Sequence, residues 1–243
     1  MKTSHFRFDA TLTELLPKSE RAAEIECRFS GPQSAKHLIE SLGIPHTEIG
    51  SISSAGQALS LNYQVRDGDR IAVVSPTPDP DARDEPRFVL DGHLGRLNSG
   101  LRMLGLDCLY RSDCEDQELA EISVSDGRTL LTRDRRLLMR KSISLGYLVR
   151  NLDARRQLSE LTNRFELAKW FRPFRRCIRC NGLLEPVDKR AVIDRLEPLT
   201  RRHYEEFHVC PSCGQIYWKG SHVEKMMKVI SSLLPEDALR RRP

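Results

Sequence analysis

The sequence contains no uninterrupted apolar run that approaches the roughly 18 residues needed for a membrane-spanning helix. Its first ten residues, MKTSHFRFDA, lack the apolar core of a secretory signal. These absences predict a cytoplasmic protein with no membrane segment, in which the seven cysteines do not serve as structural disulfides. Hydrophobic residues form 39% of the 243 positions and charged residues 30%, which predicts packed, well-solvated domains.

Charge is distributed unevenly along the chain. Residues 81–134 carry 7 basic and 12 acidic side chains, a net charge of −5, whereas residues 135–180 carry 13 and 3, a net charge of +10. An acidic block beside a basic one fits a metal-binding pocket next to a phosphate-binding surface. It fits two solvated helix faces equally well, so charge alone leaves both interpretations open.

Residues 1–75 are predicted to form a β-grasp, ubiquitin-like domain. Two strands with alternating apolar residues, a helix and further strands follow one another, which is the order of elements in that fold. The helix is predicted to begin at a Ser30 cap, with Gln33 completing a capping box, and to end at Gly43.

The segments SAKHLIESLGIPHTEIG and RDGDRIAVV resemble sulfur-carrier relatives of ubiquitin. Those carriers end in a Gly-Gly tail whose carboxylate is activated, whereas here the last strand continues into Ser75-Pro76. A binding or scaffolding role with a protein partner is therefore favoured over carrier chemistry. Residues 76–86, rich in proline and acidic side chains, are predicted to be a stiff linker.

Residues 87–170 are predicted to form a small α/β domain. Four short apolar strands alternate with helices, at 87–90, 107–110, 129–131 and 146–149, and a long helix is predicted at 154–169. Strands separated by helices favour right-handed βαβ crossovers and a parallel sheet.

Acidic side chains follow three of these strands. Asp91 comes directly after the first strand, Asp116 opens the helix after the second, and Asp134 follows the third. Ligands of open α/β sheets bind at the carboxyl ends of the strands, so these acids are candidates for one Mg²⁺ or Mn²⁺ site. Each acid taken alone is also explained as a helix cap or a first-turn residue.

Three strings, DGHLGRLNSGLRMLGLDCLY, DQELA and RTLLTRDRRLL, resemble the PIN-like ribonuclease family named after the C-terminal domain of the Mut-seven exonuclease. The resemblance extends from the N-terminus to about residue 227. It implies a β-grasp domain, a PIN-like nuclease domain and a zinc ribbon, in this order. It also implies metal-dependent RNA cleavage, with Asp91, Asp116 and Asp134 as the matching acids and Glu118 as a fourth.

Contacts with RNA are predicted at five basic side chains, namely Arg96, Arg102, Arg133, Lys219 and His222. Arg96 and Arg102 are expected on the polar face of the first helix of the α/β domain, where they would meet phosphates. Lys219 and His222 lie close to Trp218 in the string GQIYWKGSH, which also matches the family. For Trp218 itself, packing in the core is the favoured interpretation.

Two Cys-x-x-Cys pairs, separated by 29 residues, predict a zinc ribbon at 171–230 that ends in a helix. Each pair places two thiolates on one tight turn, and two such turns complete a tetrahedron around zinc, with Cys177, Cys180, Cys210 and Cys213 as ligands. Four thiolates leave no open position, so this zinc would be structural. Residues 231–243 are predicted to be a flexible basic tail.

Two other functions fit the same modules. A non-catalytic RNA-binding protein would use the basic surface and the ribbon while its acids served only as caps. A protein-interaction adaptor would use the β-grasp and zinc modules without RNA.

Overall fold

The computed structural model describes residues 1–22, 24–79, 81 and 83–220. The described chain divides into two compact units, one formed by residues within 1–78 and 114–149 and the other by residues within 79–113 and 150–220. His222, the predicted C-terminal helix and the predicted basic tail lie outside the described residues.

The bounds of the described elements are as follows. The strands are β1 (Lys2–Phe8), β2 (Ile25–Phe29), β3 (Ser51–Ser54), β4 (Gln57–Leu59), β5 (Arg70–Val74), β6 (Arg87–Leu90), β7 (Asp107–Tyr110), β8 (Thr129–Thr132), β9 (Gly146–Leu148), β10 (Glu185–Val187), β11 (Phe207–Val209) and β12 (Ile216–Trp218). The helices are α1 (Ala10–Thr13), α2 (Ala35–Ser41), α3 (Gly95–Met103), α4 (Asp116–Ser125), α5 (Arg135–Leu138), α6 (Ala154–Arg164), α7 (Lys189–Val192) and α8 (Pro198–His203). Short 3₁₀ helices include His46–Glu48, Gly92–Leu94 and Leu167–Trp170.

The N-terminal part of the first unit is a β-grasp, as the sequence predicts. Its sheet has the order β2-β1-β5-β3-β4, with β1 and β5 parallel and the other neighbours antiparallel. Of the alternating residues that indicated strands, Phe6, Cys27 and Phe29 point into the core and are at most 8% exposed. Helix α2 contributes the buried Leu38 and Ile39.

Helix α2 begins four residues later than the sequence predicts. Its cap is Ser34, whose Oγ accepts from the His37 N–H at 3.2 Å, and not Ser30. Gly31 adopts a left-handed conformation, φ +69°, and Ser34 forms an isolated bridge with Gln64. The chain therefore turns after β2 and forms one bridge with Gln64 before the helix starts. The predicted cap at Ser30 was wrong, and Ser34 caps the helix instead.

Asp9 holds the segment after β5 in place through hydrogen bonds to Ser75. Asp9 Oδ2 accepts from both the backbone N–H and the hydroxyl of Ser75 at 2.6 Å, while Oδ1 caps α1 by accepting from Leu12. Burial raises the pKa of Asp9, but these hydrogen bonds outweigh it and lower the pKa below its ordinary value. The end of the β-grasp is thus a held segment, unlike the exposed tail that carrier chemistry requires.

The first unit also contains β8 and β9, a parallel pair, with α4 and α5. The β-grasp contacts this part through the 3₁₀ helix His46–Glu48. Glu48 is 2% exposed, and its Oε1 accepts from the Leu148 N–H at 2.6 Å. His46 Nε2 lies 2.7 Å from the Ile143 carbonyl oxygen, and its Nδ1 lies 2.7 Å from the Glu40 carboxylate. The β-grasp is therefore joined to β9 by a buried hydrogen bond and to the segment before β9 by a partly buried one.

Replacing Glu48 with alanine is expected to lower the free energy of unfolding by about 1–3 kcal/mol, because the buried Leu148 N–H loses its acceptor. Glu48→Gln retains an acceptor oxygen of nearly the same shape and should cost clearly less. Chemical denaturation of both variants measures the difference. Equal losses for the two variants would contradict the role assigned to this hydrogen bond.

The second unit contains β6 and β7, which are also a parallel pair, with α3 and α6. Gly105 terminates helix α3, because it has φ +91° and the Arg172 carbonyl occupies the space that a Cβ would need. The predicted long helix at 154–169 is interrupted. α6 ends at Arg164, Glu166 is left-handed at φ +48°, and a 3₁₀ helix follows. A non-glycine residue in that conformation cannot continue an α-helix.

The ribbon follows as a three-stranded antiparallel sheet in the order β10-β11-β12. Its core is small and consists of Val192, Leu196, Phe207 and Ile216. Trp218 is half-buried and packs against this cluster, with its ring centroid 6.4 Å from that of Phe207, which supports the core-packing interpretation of Trp218. Such a small core needs additional stabilisation to fold.

Candidate active site and metal centre

The two Cys-x-x-Cys turns have the same backbone design. In each, the residue after the second cysteine is left-handed, Asn181 at φ +71° and Gly214 at φ +72°, and its N–H donates to the carbonyl of the first cysteine. Gly182 matters for a different reason, since a Cβ there would lie 3.0 Å from Cys210 Sγ. The turns therefore present their thiolates on one side with no side chain between them.

The four cysteines form a compact group of metal ligands. The sulfur atoms of Cys177, Cys180, Cys210 and Cys213 all lie within 4.8 Å of one another, with pairs at 3.5 Å and 3.4 Å. Tetrahedral Zn–S bonds of about 2.3 Å imply sulfur separations of roughly 3.8 Å. The group is thus arranged to bind a metal ion and is consistent with structural zinc, as predicted.

Tyr217 supports one of these thiolates. Its hydroxyl lies 3.1 Å from Cys177 Sγ and accepts from the Ile178 N–H at 3.0 Å, which leaves the hydroxyl proton for the sulfur. Burial opposes ionisation, but hydrogen bonds from Tyr217 and from the Cys180 N–H lower the pKa of Cys177 to about 7. A thiolate is the form that binds metal.

The first turn is bonded to β7 and α3 by buried polar side chains. Arg102, only 4% exposed, donates to the Cys108 carbonyl and to the carbonyls of Ile178 and Arg179, all at 2.8–3.0 Å. Asn181 accepts from the Cys108 N–H at 3.1 Å. The ribbon and the strand pair β6–β7 therefore share one hydrogen-bond network.

This placement contradicts the prediction that Arg102 contacts RNA. Its guanidinium is buried and already serves three carbonyl oxygens, so a phosphate has no access to it. From the sequence, Arg102 and Arg96 looked equivalent on one polar helix face. Arg102 turns inward, where its guanidinium donates to the carbonyls of the first cysteine turn, whereas Arg96 remains exposed.

Replacing Arg102 with methionine is expected to lower the free energy of unfolding by roughly 3 kcal/mol, because several buried carbonyls lose a charged donor while the apolar stem is kept. Arg96→Met, an exposed change on the same helix, should alter stability by less than about 0.5 kcal/mol. Thermal and denaturant unfolding of the pair provide the measurement. A similar small effect of both changes would refute the structural role of Arg102.

Asp116, Glu118 and Asp134 all belong to the first unit. Asp134 follows β8 by two residues and caps α5, its Oδ1 accepting from the Arg136 N–H at 2.7 Å. Asp116 is the first residue of α4, and its Oδ2 lies 3.7 Å from Arg140 Nη2. The carboxylates of Asp116 and Asp134 are exposed, and Glu118 is half-buried in the first turn of α4.

Asp91 lies in the second unit, directly after β6. It caps the 3₁₀ helix Gly92–Leu94, accepting from the His93 N–H at 3.4 Å. A Cβ on Gly92 would lie 2.7 Å from the Ser112 carbonyl, and the Tyr110 hydroxyl donates to the Gly92 carbonyl at 2.9 Å. The segments after β6 and β7 are therefore packed closely at the point where Asp91 emerges.

Residues 86–230 match a family model described as the Mut7-C RNAse domain, which covers more than half of the chain. The chain belongs to the Mut7-C ribonuclease family. Residues 1–80 match a second model, described as Mut7-C ubiquitin. The family predicted from the sequence strings is thereby confirmed, together with its order of modules.

Comparison with curated proteins found no match. Two crystal structures of small archaeal modifier protein 1 from Haloferax volcanii are similar to the chain, each at 14% sequence identity with a TM-score of 0.26. The alignments cover 32% of this chain and 100% or 98% of the modifier.

The remaining basic candidates of this Mut7-C chain differ in their surroundings. Arg96 and Arg133 are exposed. Lys219 is also exposed, and its Nζ lies 2.8 Å from Glu206 Oε2 in an exposed ion pair. Within residues 1–220, as far as they are described, no helix has the length and apolar character to cross a bilayer.

Proposed function

We propose that this Mut7-C protein is a metal-dependent ribonuclease whose Mg²⁺ or Mn²⁺ is bound by Asp91, Asp116 and Asp134, with Glu118 as a fourth acid. The family match carries the proposal, since it identifies a ribonuclease-type domain over 86–230. The position of the acids supports it. Each follows the carboxyl end of a strand in the α/β part of the chain, which is where open parallel sheets bind their ligands.

The donor set suits a hard divalent cation, because carboxylate oxygens are its preferred protein ligands. When bound, such an ion supplies an activated water and neutralises the charge that develops on the phosphodiester. The capping hydrogen bond from Arg136 holds Asp134 in one orientation. Arg140 beside Asp116, together with the exposed Arg96 and Arg133, would bind the phosphates of the RNA backbone.

The same proposal assigns zinc to the four cysteines and a structural role to that zinc. It divides the chain into a β-grasp domain at 1–75, a linker at 76–86, a nuclease domain at 87–170 and a ribbon with a C-terminal helix at 171–230. Under this proposal the β-grasp is a non-catalytic module that packs on the β8–β9 part of the nuclease through Glu48.

The test uses the purified full chain and a short end-labelled single-stranded RNA. With Mn²⁺ or Mg²⁺ we expect shortened products on a gel, and with no added divalent ion we expect none. RNA that is bound at low salt but left uncut in every divalent ion would instead favour the RNA-binding alternative. An absence of RNA binding at low salt would leave the adaptor function.

A further inference from the structure

An open cleft of about 540 Å³ lies in the second unit, and its lining includes none of the three acids. Three rings line it, those of Trp170, Phe174 and His208, together with Arg172 and Arg175. Its volume is within the ~300–1,000 Å³ range of cavities that bind small molecules or their parts. Neither the zinc site nor the proposed catalytic acids account for this combination of side chains.

The rings of Phe174 and His208 are held in fixed positions. Their centroids are 5.8 Å apart and their planes are inclined by 32°. His208 is the middle residue of β11, which is paired on both sides, with Pro186 and with Tyr217. Phe174 has φ +65°, a left-handed conformation that bulky residues rarely adopt. Such strain persists where the surroundings impose it, and it is concentrated at binding sites.

The charge around the cleft is positive. Residues 164–179 carry six basic side chains and one acidic one. Arg175, 41% exposed on its side chain, is paired with Glu85 Oε2 at the edge of the cleft. The pair orients the guanidinium without hiding it, because a single carboxylate oxygen cannot occupy all five of its N–H donors.

We propose that this cleft binds an unstacked base of single-stranded RNA. The base would stack on the rings of Trp170, Phe174 or His208, and the flanking phosphates would meet Arg172 and Arg175. Aromatic rings surrounded by arginines are the chemistry that recognises single-stranded RNA, since every base offers a π face and every nucleotide a negative charge. The inference rests on the proposed function for the identity of the ligand as RNA, but it does not require cleavage.

The first test measures affinity for a fluorescently labelled oligouridylate, with Asp134→Asn added to every protein and with no divalent ion added, so that only binding is observed. Trp170→Leu and Phe174→Leu should each weaken binding by about tenfold, as expected for the loss of one stacked base. Trp170→Phe keeps a π face and should retain affinity within about threefold. Tyr63→Leu, which removes a half-buried ring from the β-grasp, is the matched control and should leave affinity unchanged.

The salt dependence separates stacking from phosphate contacts. Arg175→Gln should reduce the slope of log affinity against log salt by about one, because one phosphate contact is lost. Trp170→Leu should lower affinity at every salt concentration with the slope unchanged. A reduced slope for Trp170→Leu would overturn the stacking assignment.

A second measurement keeps the inference testable if a variant folds poorly. Photocrosslinking of the unmodified cleft to RNA that contains 4-thiouridine, followed by peptide mass spectrometry, should place crosslinks at Trp170, Phe174 or His208. Crosslinks found only elsewhere in the chain would overturn the proposal. So would equal RNA affinity of correctly folded Trp170→Leu, Phe174→Leu and parent proteins, which would leave the cleft to a protein ligand. If only the nuclease proposal fails, the RNA will remain uncut in the cleavage assay but will still crosslink to the rings of this cleft.

Discussion

Asp134→Asn is expected to reduce the rate of RNA cleavage in Mn²⁺ by at least about a hundredfold, since the loss of partners one shell beyond a metal's direct ligands already costs 10–100-fold. Asparagine has nearly the shape of aspartate but no negative charge. A neutral amide holds Mg²⁺ or Mn²⁺ less tightly and compensates less of the charge that accumulates around the phosphodiester. The measurement is the single-turnover cleavage rate of a labelled RNA at saturating enzyme.

This substitution separates catalysis from folding because of what Asp134 does in the structure. Its Oδ1 caps α5 by accepting from the Arg136 N–H at 2.7 Å. Asparagine is about as good a cap as aspartate, so α5 and the melting temperature should be preserved. Were Asp134 only a cap, Asp134→Asn would leave cleavage intact, whereas Asp134→Ala would destabilise the protein by about 1 kcal/mol.

The neighbouring acid Glu115 provides a matched control. It is exposed, precedes Asp116 and occupies the N-cap position of α4 without making a side-chain cap bond. Glu115→Gln therefore removes the same charge from the same segment without touching the proposed ligands and should leave the rate nearly unchanged. Asp91→Asn and Asp116→Asn should behave like Asp134→Asn. A hundredfold loss for Glu115→Gln as well would show a general effect of charge and would argue against a defined metal site.

Cys210→Ser is expected to abolish stoichiometric binding of zinc and to unfold the ribbon. In zinc-finger peptides the metal contributes about 10–16 kcal/mol of apparent folding free energy, and the small core around Phe207 and Ile216 cannot replace a contribution of that size. Metal analysis should find well under one equivalent of zinc. Limited proteolysis should then cut the segment between the two cysteine turns, which resists protease in the parent protein.

The effect should extend beyond the ribbon, because the first cysteine turn shares a hydrogen-bond network with β7. Arg102 donates to the carbonyls of Ile178 and Arg179, and Asn181 accepts from the Cys108 N–H. When the turn opens, these buried groups lose their partners, so we expect the melting temperature to fall by roughly 10 °C or more.

Cys114→Ser provides the control for the zinc prediction. Cys114 is half-buried and lies outside the four-cysteine group, so its replacement should preserve both zinc content and protease resistance. A full equivalent of zinc in Cys210→Ser, or a ribbon that remains protease-resistant without metal, would contradict the structural role of the ion.

The β-grasp acquires a specific structural role from its contacts. The sequence predicts a scaffolding domain with a partner, and one surface that it contacts is in its own chain, where Glu48 and His46 meet Leu148 and Ile143. The Asp9–Ser75 bonds hold the end of its last strand. Together these contacts describe a domain that packs on the β8–β9 part of its own unit and whose last strand continues into a held segment.

Hydrophobic periodicity in the sequence predicted strands and helices well where a glycine or a cap also marked the end of the element. The short strands and helices between Arg87 and Leu148 appear within one or two residues of their predicted bounds, and Gly105 ends α3. The predictions failed where the sequence offers two residues that could cap or end the same helix. Ser30 and Ser34 both fit a cap, and the strand bridge at Ser34 decided between them. The helix predicted at 154–169 has an unbroken pattern, yet the chain turns at Glu166.

The order of the modules and the four cysteines of the metal group can be read from the amino-acid sequence alone. Hydrophobic periodicity depends on near neighbours, and two Cys-x-x-Cys pairs carry their own geometry, so both can be predicted without long-range information. Which of two similar arginines on α3 faces inward depends on long-range contacts. Arg102 donates to carbonyls more than 75 residues away along the chain, which no local pattern encodes, while Arg96 stays exposed. The cleft at Trp170, Phe174 and His208 likewise exists because β11 returns to a distant segment.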